Sequence, residues 1–168
     1  MKTQYMFIAI LLALIAPGFT IKTYAATQPP STAEFQPSDE RSVQDTLPKA
    51  HDVLWDTLYK TKIEVDEKNG NYSAIFPNEV QKLNGQTIKI SGFMLPLENS
   101  EKFTHFLLSK RTPTCFFCPP GEPNEIIEVY ATKPTEWAED LVTYEGKFEL
   151  TRNKQTGIFF RMLNAVKK

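Results

Sequence analysis

Val142-Thr143-Tyr144-Glu145-Gly146-Lys147-Phe148-Glu149-Leu150 sets Val142, Tyr144, Phe148 and Leu150 on one face and Thr143, Glu145, Lys147 and Glu149 on the other. Strict period-two alternation of this kind is the signature of a strand with one buried and one wet face. It predicts that Phe148 points inward and Lys147 outward. Downstream, a polar turn ending in Gly157 leads to residues 158–163 (IFFRML), a strand expected to pair with it as a hairpin. Upstream, residues 125–132 (EIIEVYAT), 103–109 (FTHFLLS) and 86–95 (QTIKISGFML) read as three further strands. Gly92 interrupts the earliest of these, where a strand bends or approaches another backbone. Thr135 is placed to cap a short helix carrying Trp137 between the third and fourth strands.

Ahead of the strands the pattern changes. Val53, Leu54, Trp55 and Leu58 fall at helical spacing after Pro48, which predicts a short amphipathic helix fading out by Lys62. Ile63 and Val65, then Asn69-Gly70, then residues 72–76 suggest a hairpin. Pro77 opens a turn of helix through Leu83, and Gly85 sits where such a turn ends. The fold class expected is mainly β (α+β): a small five-stranded OB-like barrel with a short N-terminal helix.

The chain begins with Lys2 and an unbroken apolar run over residues 6–16 (MFIAILLALIA), broken by Pro17-Gly18 and followed by Thr23-Tyr24-Ala25. This is the order of a secretory signal peptide with cleavage near Ala25, and the run is short of the roughly 20 apolar residues that span a bilayer. Residues 1–25 are therefore expected to be removed and the mature chain to work outside the cytoplasm, in the periplasm. Residues 26–48, rich in Pro, Ser, Thr and acids, are expected to be a flexible leader. Residues 49–168 are expected to be a single mostly-β domain. Of 19 basic and 20 acidic residues the signal takes only Lys2 and Lys22, which leaves the mature chain slightly acidic. That balance supplies no electrostatic reason to bind nucleic acid or an anionic membrane, so membrane contact is expected to be peripheral at most.

Chemistry concentrates in one loop. The two cysteines stand together in Thr114-Cys115-Phe116-Phe117-Cys118-Pro119-Pro120-Gly121-Glu122, between the second and third strands. Two thiolates two residues apart can grip a soft ion such as zinc or copper from one turn. The nearest additional donors are His105 and the carboxylates of Glu122 and Glu125. His105 falls on the expected face of Phe103 and Leu107, where a histidine is more often a wall residue than a ligand. The same cysteines in an exported chain equally suit a disulfide that clips the loop, although closing so short a loop stabilises a fold little. A thiol–disulfide carrier is the third reading, weakened because Pro-Pro-Gly rather than a helix follows Cys118. No nucleophile elbow, phosphate loop or dinucleotide fingerprint is present, and histidine is limited to His51 and His105. No catalytic residues are expected.

Residues 83–85 (LNG), 90–97 (ISGFMLPL), 106–108 (FLL) and 115–125 (CFFCPPGEPNE) resemble a bacterial exported family known mainly as a domain of unknown function. The resemblance covers residues 83–165, and Cys-x-x-Cys-Pro-Pro is its most specific part. It implies a periplasmic protein or lipoprotein, in some cases encoded beside efflux-type ABC transporter components under zinc-responsive control. A metal-handling accessory role with a membrane transporter as partner follows as an expectation. This chain departs from the lipoprotein members in having no cysteine near the cleavage site.

Overall fold

The structure is a computed structural model that describes residues 39–114 and 120–168. The signal segment, residues 26–38 of the leader and the Cys115–Cys118 segment lie outside the described residues. The expected strand of residues 142–150 is present with the expected facing: Val142, Tyr144 and Phe148 are buried and Lys147 is exposed.

The alternating residues close into a five-stranded barrel. Helix α1 (Asp39–Thr46) and helix α2 (Val53–Tyr59) come first. The hairpin β1 (Lys62–Asp66) and β2 (Asn71–Ile75) and the short helix α3 (Asn78–Gln81) follow. The barrel strands are β3 (Thr87–Pro96), β4 (Lys102–Ser109), β5 (Ile126–Glu136), β6 (Val142–Leu150) and β7 (Phe160–Lys167). Around the barrel the order is β3-β4-β5-β7-β6, closing back on β3. Only β5 and β7 run parallel. This connectivity is that of an OB-like barrel, and closure leaves it without the unpaired edges of an open sheet.

Two glycines make the closure sterically possible. Along β3 the partner changes from β6 to β4 at Gly92. A Cβ there would meet Leu108 Cγ at 2.7 Å and the Ser109 carbonyl at 2.8 Å. Gly146 stands beside the bulge in the β6–β7 ladder, where a Cβ would meet Met162 Cγ at 2.7 Å and the Leu163 carbonyl at 2.8 Å. Inside, Ile90, Phe106, Ile127, Phe148, Phe160 and Met162 belong to one core. Trp55 and Leu58 of α2 join that core, and Trp55 Nε1 donates to the Ser91 carbonyl at 2.7 Å.

Four sequence expectations change in the structure. Thr135 caps no helix: it lies in β5, paired with Phe103, so its backbone is taken up by the ladder and Trp137 follows in an irregular connection. The last strand runs to Lys167 rather than Leu163, because β7 is held on both sides, by β5 and by the beginning of β6. His105 shares an outward face with Leu107 but not with Phe103, because a β-bulge between Phe103 and His105 inverts the alternation. Finally, Asp39–Thr46 is helical where composition placed a flexible leader. Gln44 of α1 is buried, with its amide spent on backbone carbonyls of the cysteine loop. Tertiary hydrogen bonds here outweigh a composition poor in apolar residues.

Candidate functional site

The cysteine loop leaves the barrel after β4 and returns to it before β5, so its two ends are built by residues 109–114 and 120–125. Both ends are gripped from one side by α1: Gln44 Nε2 donates to the Thr112 carbonyl at 3.1 Å and the Pro120 carbonyl at 3.2 Å. A single side-chain amide thereby ties the outgoing and returning strands of the loop together. From the barrel side, the buried Ser109 hydroxyl donates to the same Pro120 carbonyl at 2.7 Å and accepts from Arg111 N at 3.1 Å.

Glu125 closes the frame from below. Its side chain is only 3% exposed, and Oε2 accepts from Arg111 Nε at 2.6 Å and from Glu122 N at 3.1 Å. The second contact is half of a capping box around the 3₁₀ turn Pro123–Glu125, with Glu122 as its N-cap. Gly121 makes room for this carboxylate, since a Cβ there would lie 3.3 Å from Glu125 Oε2. Arg111 also pairs with Asp45 of α1, and Arg41 of α1 reaches Glu122 at 3.3 Å. Burial works against the charge of Arg111, but the hydrogen bonds and fields of Glu125 and Asp45 outweigh it and raise the guanidinium above its ordinary value. Asn124 anchors the returning end to the helical layer by donating to the Tyr59 and Thr61 carbonyls.

His105 belongs to a separate cluster on the outer face of β4, β5 and β7. Its Nε2 lies 3.0 Å from Glu128 Oε1, and its ring stacks on Tyr130 with centroids 4.4 Å apart and planes 11° apart. Arg161 donates to Glu128 Oε2 at 2.9 Å and its guanidinium lies 5.5 Å from the Tyr130 ring centroid. Ser109, which meets the loop, is four residues further along β4, a strand length of about 13 Å. Of the four expected ligands, the structure thus places Glu122 at the loop frame and His105 at a distance along the strand, while Cys115 and Cys118 lie outside the described residues. Among the described residues no group of three or more His, Cys, Asp and Glu side chains is arranged to hold a metal.

Burial raises the Glu128 carboxyl, but the hydrogen bonds of His105 and Arg161, the charge of Arg161 and the Tyr130 hydroxyl outweigh it and hold it below its ordinary range. A carboxyl depressed in the folded state contributes stability that is present above its unfolded value and is lost as pH falls through the folded one. Glu128→Gln should therefore be less stable than the parent at neutral pH, with the difference smaller in acid, below the ordinary carboxylate range. Chemical unfolding at both pH values measures it. A difference independent of pH would show that the charge of Glu128 is not what matters.

Sequence reading singled out Glu122 and Glu125 by proximity but missed Gln44, Ser109 and Arg111. Gln44 stands 68 residues from Thr112, and nothing local marks it. The Glu-Pro-Asn-Glu run of residues 122–125 was the available signal, as an acidic variant of a capping box with Pro at the first position.

Fold and frame together define a class: a small closed β-barrel whose β4–β5 connection leaves and returns over a buried polar base. A family model described as a protein of unknown function (DUF3299) matches residues 32–159, and the chain belongs to that family. It is similar to a DUF3299 family protein from Pseudomonas aeruginosa PAO1 known from a crystal structure, with 22% identity over 85% of this chain and 89% of that chain and a TM-score of 0.46. No curated protein matches the chain.

Proposed function

We propose that this protein is an exported, periplasmic accessory protein that binds zinc or another soft metal through Cys115 and Cys118, and that it docks on a membrane transporter component. The observation that carries the metal reading is the frame beneath the loop. Gln44, Ser109, Arg111 and Glu125 already tie its two ends together, so a disulfide closing four residues would add little as a staple. Burying an ion pair and an amide to hold a loop costs desolvation, which is better accounted for by a loop whose geometry matters. Two thiolates on such a base suit a soft, tetrahedral ion. Glu122, at the loop exit and half exposed, supplies the nearer oxygen donor. His105 was the other candidate donor, but its Nε2 is committed to Glu128 and it stands four residues along β4 from the loop base, so the thiolates and Glu122 carry this reading.

Anaerobic titration of the reduced mature protein with Zn²⁺ tests this. Binding is expected to strengthen with pH, because the thiols must lose their protons, and to disappear on oxidation. Cys115→Ser or Cys118→Ser should each abolish tight binding. Gln44→Ala should weaken it by about tenfold while leaving both thiols countable, as loss of an orienting outer contact does. Reduced protein that takes up no zinc at micromolar concentration would remove the metal reading and leave the loop clip.

A further inference from the structure

Two adjoining cavities open beside the β3–β4 connection. The larger, about 650 Å³, is lined by Leu95, Pro96, Leu97, Glu98, Phe103 and Trp137 together with Asn99 and Ser100. The smaller, about 210 Å³, is lined by Phe93, Met94, Thr112 and Glu139 among others. Leu95 and Trp137 line both, so the two cavities adjoin at these side chains along one side of the barrel. Trp137 is 49% exposed and Leu97 46% exposed, so the groove presents a large aromatic face and an aliphatic side chain to water.

The charges around it have one sign. Among the described residues, Glu98 and Glu139 are the charged side chains that line it, and no lysine or arginine does. Neither carboxylate has an ion-pair or hydrogen-bond partner among the described residues, whereas the nearby Glu136 is paired with Lys102 at 3.4 Å. An apolar trough with an open indole face and two unpartnered carboxylates at its rim is complementary to one kind of ligand. We infer that this groove is a binding site for a small organic cation with an apolar body.

The indole of Trp137 would attract the cationic head through its ring quadrupole, Glu98 and Glu139 would supply the counter-charge, and Phe93, Leu95 and Phe103 would take the apolar part. The larger cavity, about 650 Å³, by itself lies in the range of sites for drug-sized ligands. A protein partner would instead need about 800 Å² of surface per side, which a trough of this size does not offer. The inference does not rest on metal binding by the cysteines, although Thr112 of the loop base lines the smaller cavity.

A matched series tests it: phenylbutylamine, phenylbutanol and phenylbutyrate, each titrated into the full protein with tryptophan fluorescence as the readout. The other indole, Trp55, is fully buried and hydrogen-bonded, so the signal should belong to Trp137 and vanish in Trp137→Phe. The amine is expected to bind at least about tenfold tighter than the alcohol, and the carboxylate weakest. Glu98→Gln combined with Glu139→Gln, two exposed changes that leave the core untouched, should cut the amine's advantage to the small part that Trp137 supplies, while the alcohol binds as before. Added salt should shrink the same advantage. Equal affinities across the series, no response up to about 10 mM, or an advantage undiminished by the double substitution would each overturn the proposal.

Discussion

Alanine in place of Arg111 is expected to destabilise the domain by about 3–5 kcal/mol, because it leaves the Glu125 carboxylate buried without a counter-charge. Arg111 is itself only 14% exposed, and Glu125 3%, so water cannot readily replace the lost guanidinium. The same substitution frees Asp45 of α1 and removes one of the ties between α1 and the loop base. Glu125→Gln in the Arg111→Ala background should recover part of the loss, since a neutral amide oxygen can still accept from Glu122 N without a buried charge. Urea unfolding of the single and double variants measures both numbers. An Arg111→Ala variant within about 0.5 kcal/mol of the parent would mean that the ion pair is effectively solvated.

The second large effect lies in the barrel. Phe148 is fully buried, with its ring 5.7 Å from that of Phe160. Phe148→Ala should lower stability by about 3–5 kcal/mol, the combined cost of lost burial and a cavity that a closed barrel cannot collapse to fill. Lys147, its exposed neighbour on the opposite face, pairs with the partly exposed Glu149 at 3.1 Å, and Lys147→Ala should change little. Comparable unfolding midpoints for the two variants would contradict the facing of β6.

Much of the barrel was legible because its signals are local. Alternation in residues 142–150 needs only neighbours to be read, and the barrel strands, the Asn69-Gly70 hairpin and the α2 helix follow from the same kind of evidence. Gly92 was visible as an interruption, although the reason for it, the Leu108 side chain and Ser109 carbonyl crowding its missing Cβ, was not. Expectations failed where a distant partner decides. Thr135 has good capping chemistry, yet Phe103 claims its backbone across the ladder. The bulge that turns His105 away from Phe103 leaves no trace in residue type.

The sequence by itself determined five strand segments, one of them alternating strictly enough to fix its buried face, and placed both cysteines in a single proline-rich loop between two of those segments. Those conclusions rest on periodicity and on covalent neighbours, which survive without knowledge of the fold. Only the tertiary structure decided which side chains hold that loop. Gln44, Ser109, Arg111 and Glu125 form its base through contacts spanning up to 76 residues, and a polar residue acquires such a role only when closure of the barrel brings its partner within hydrogen-bonding distance.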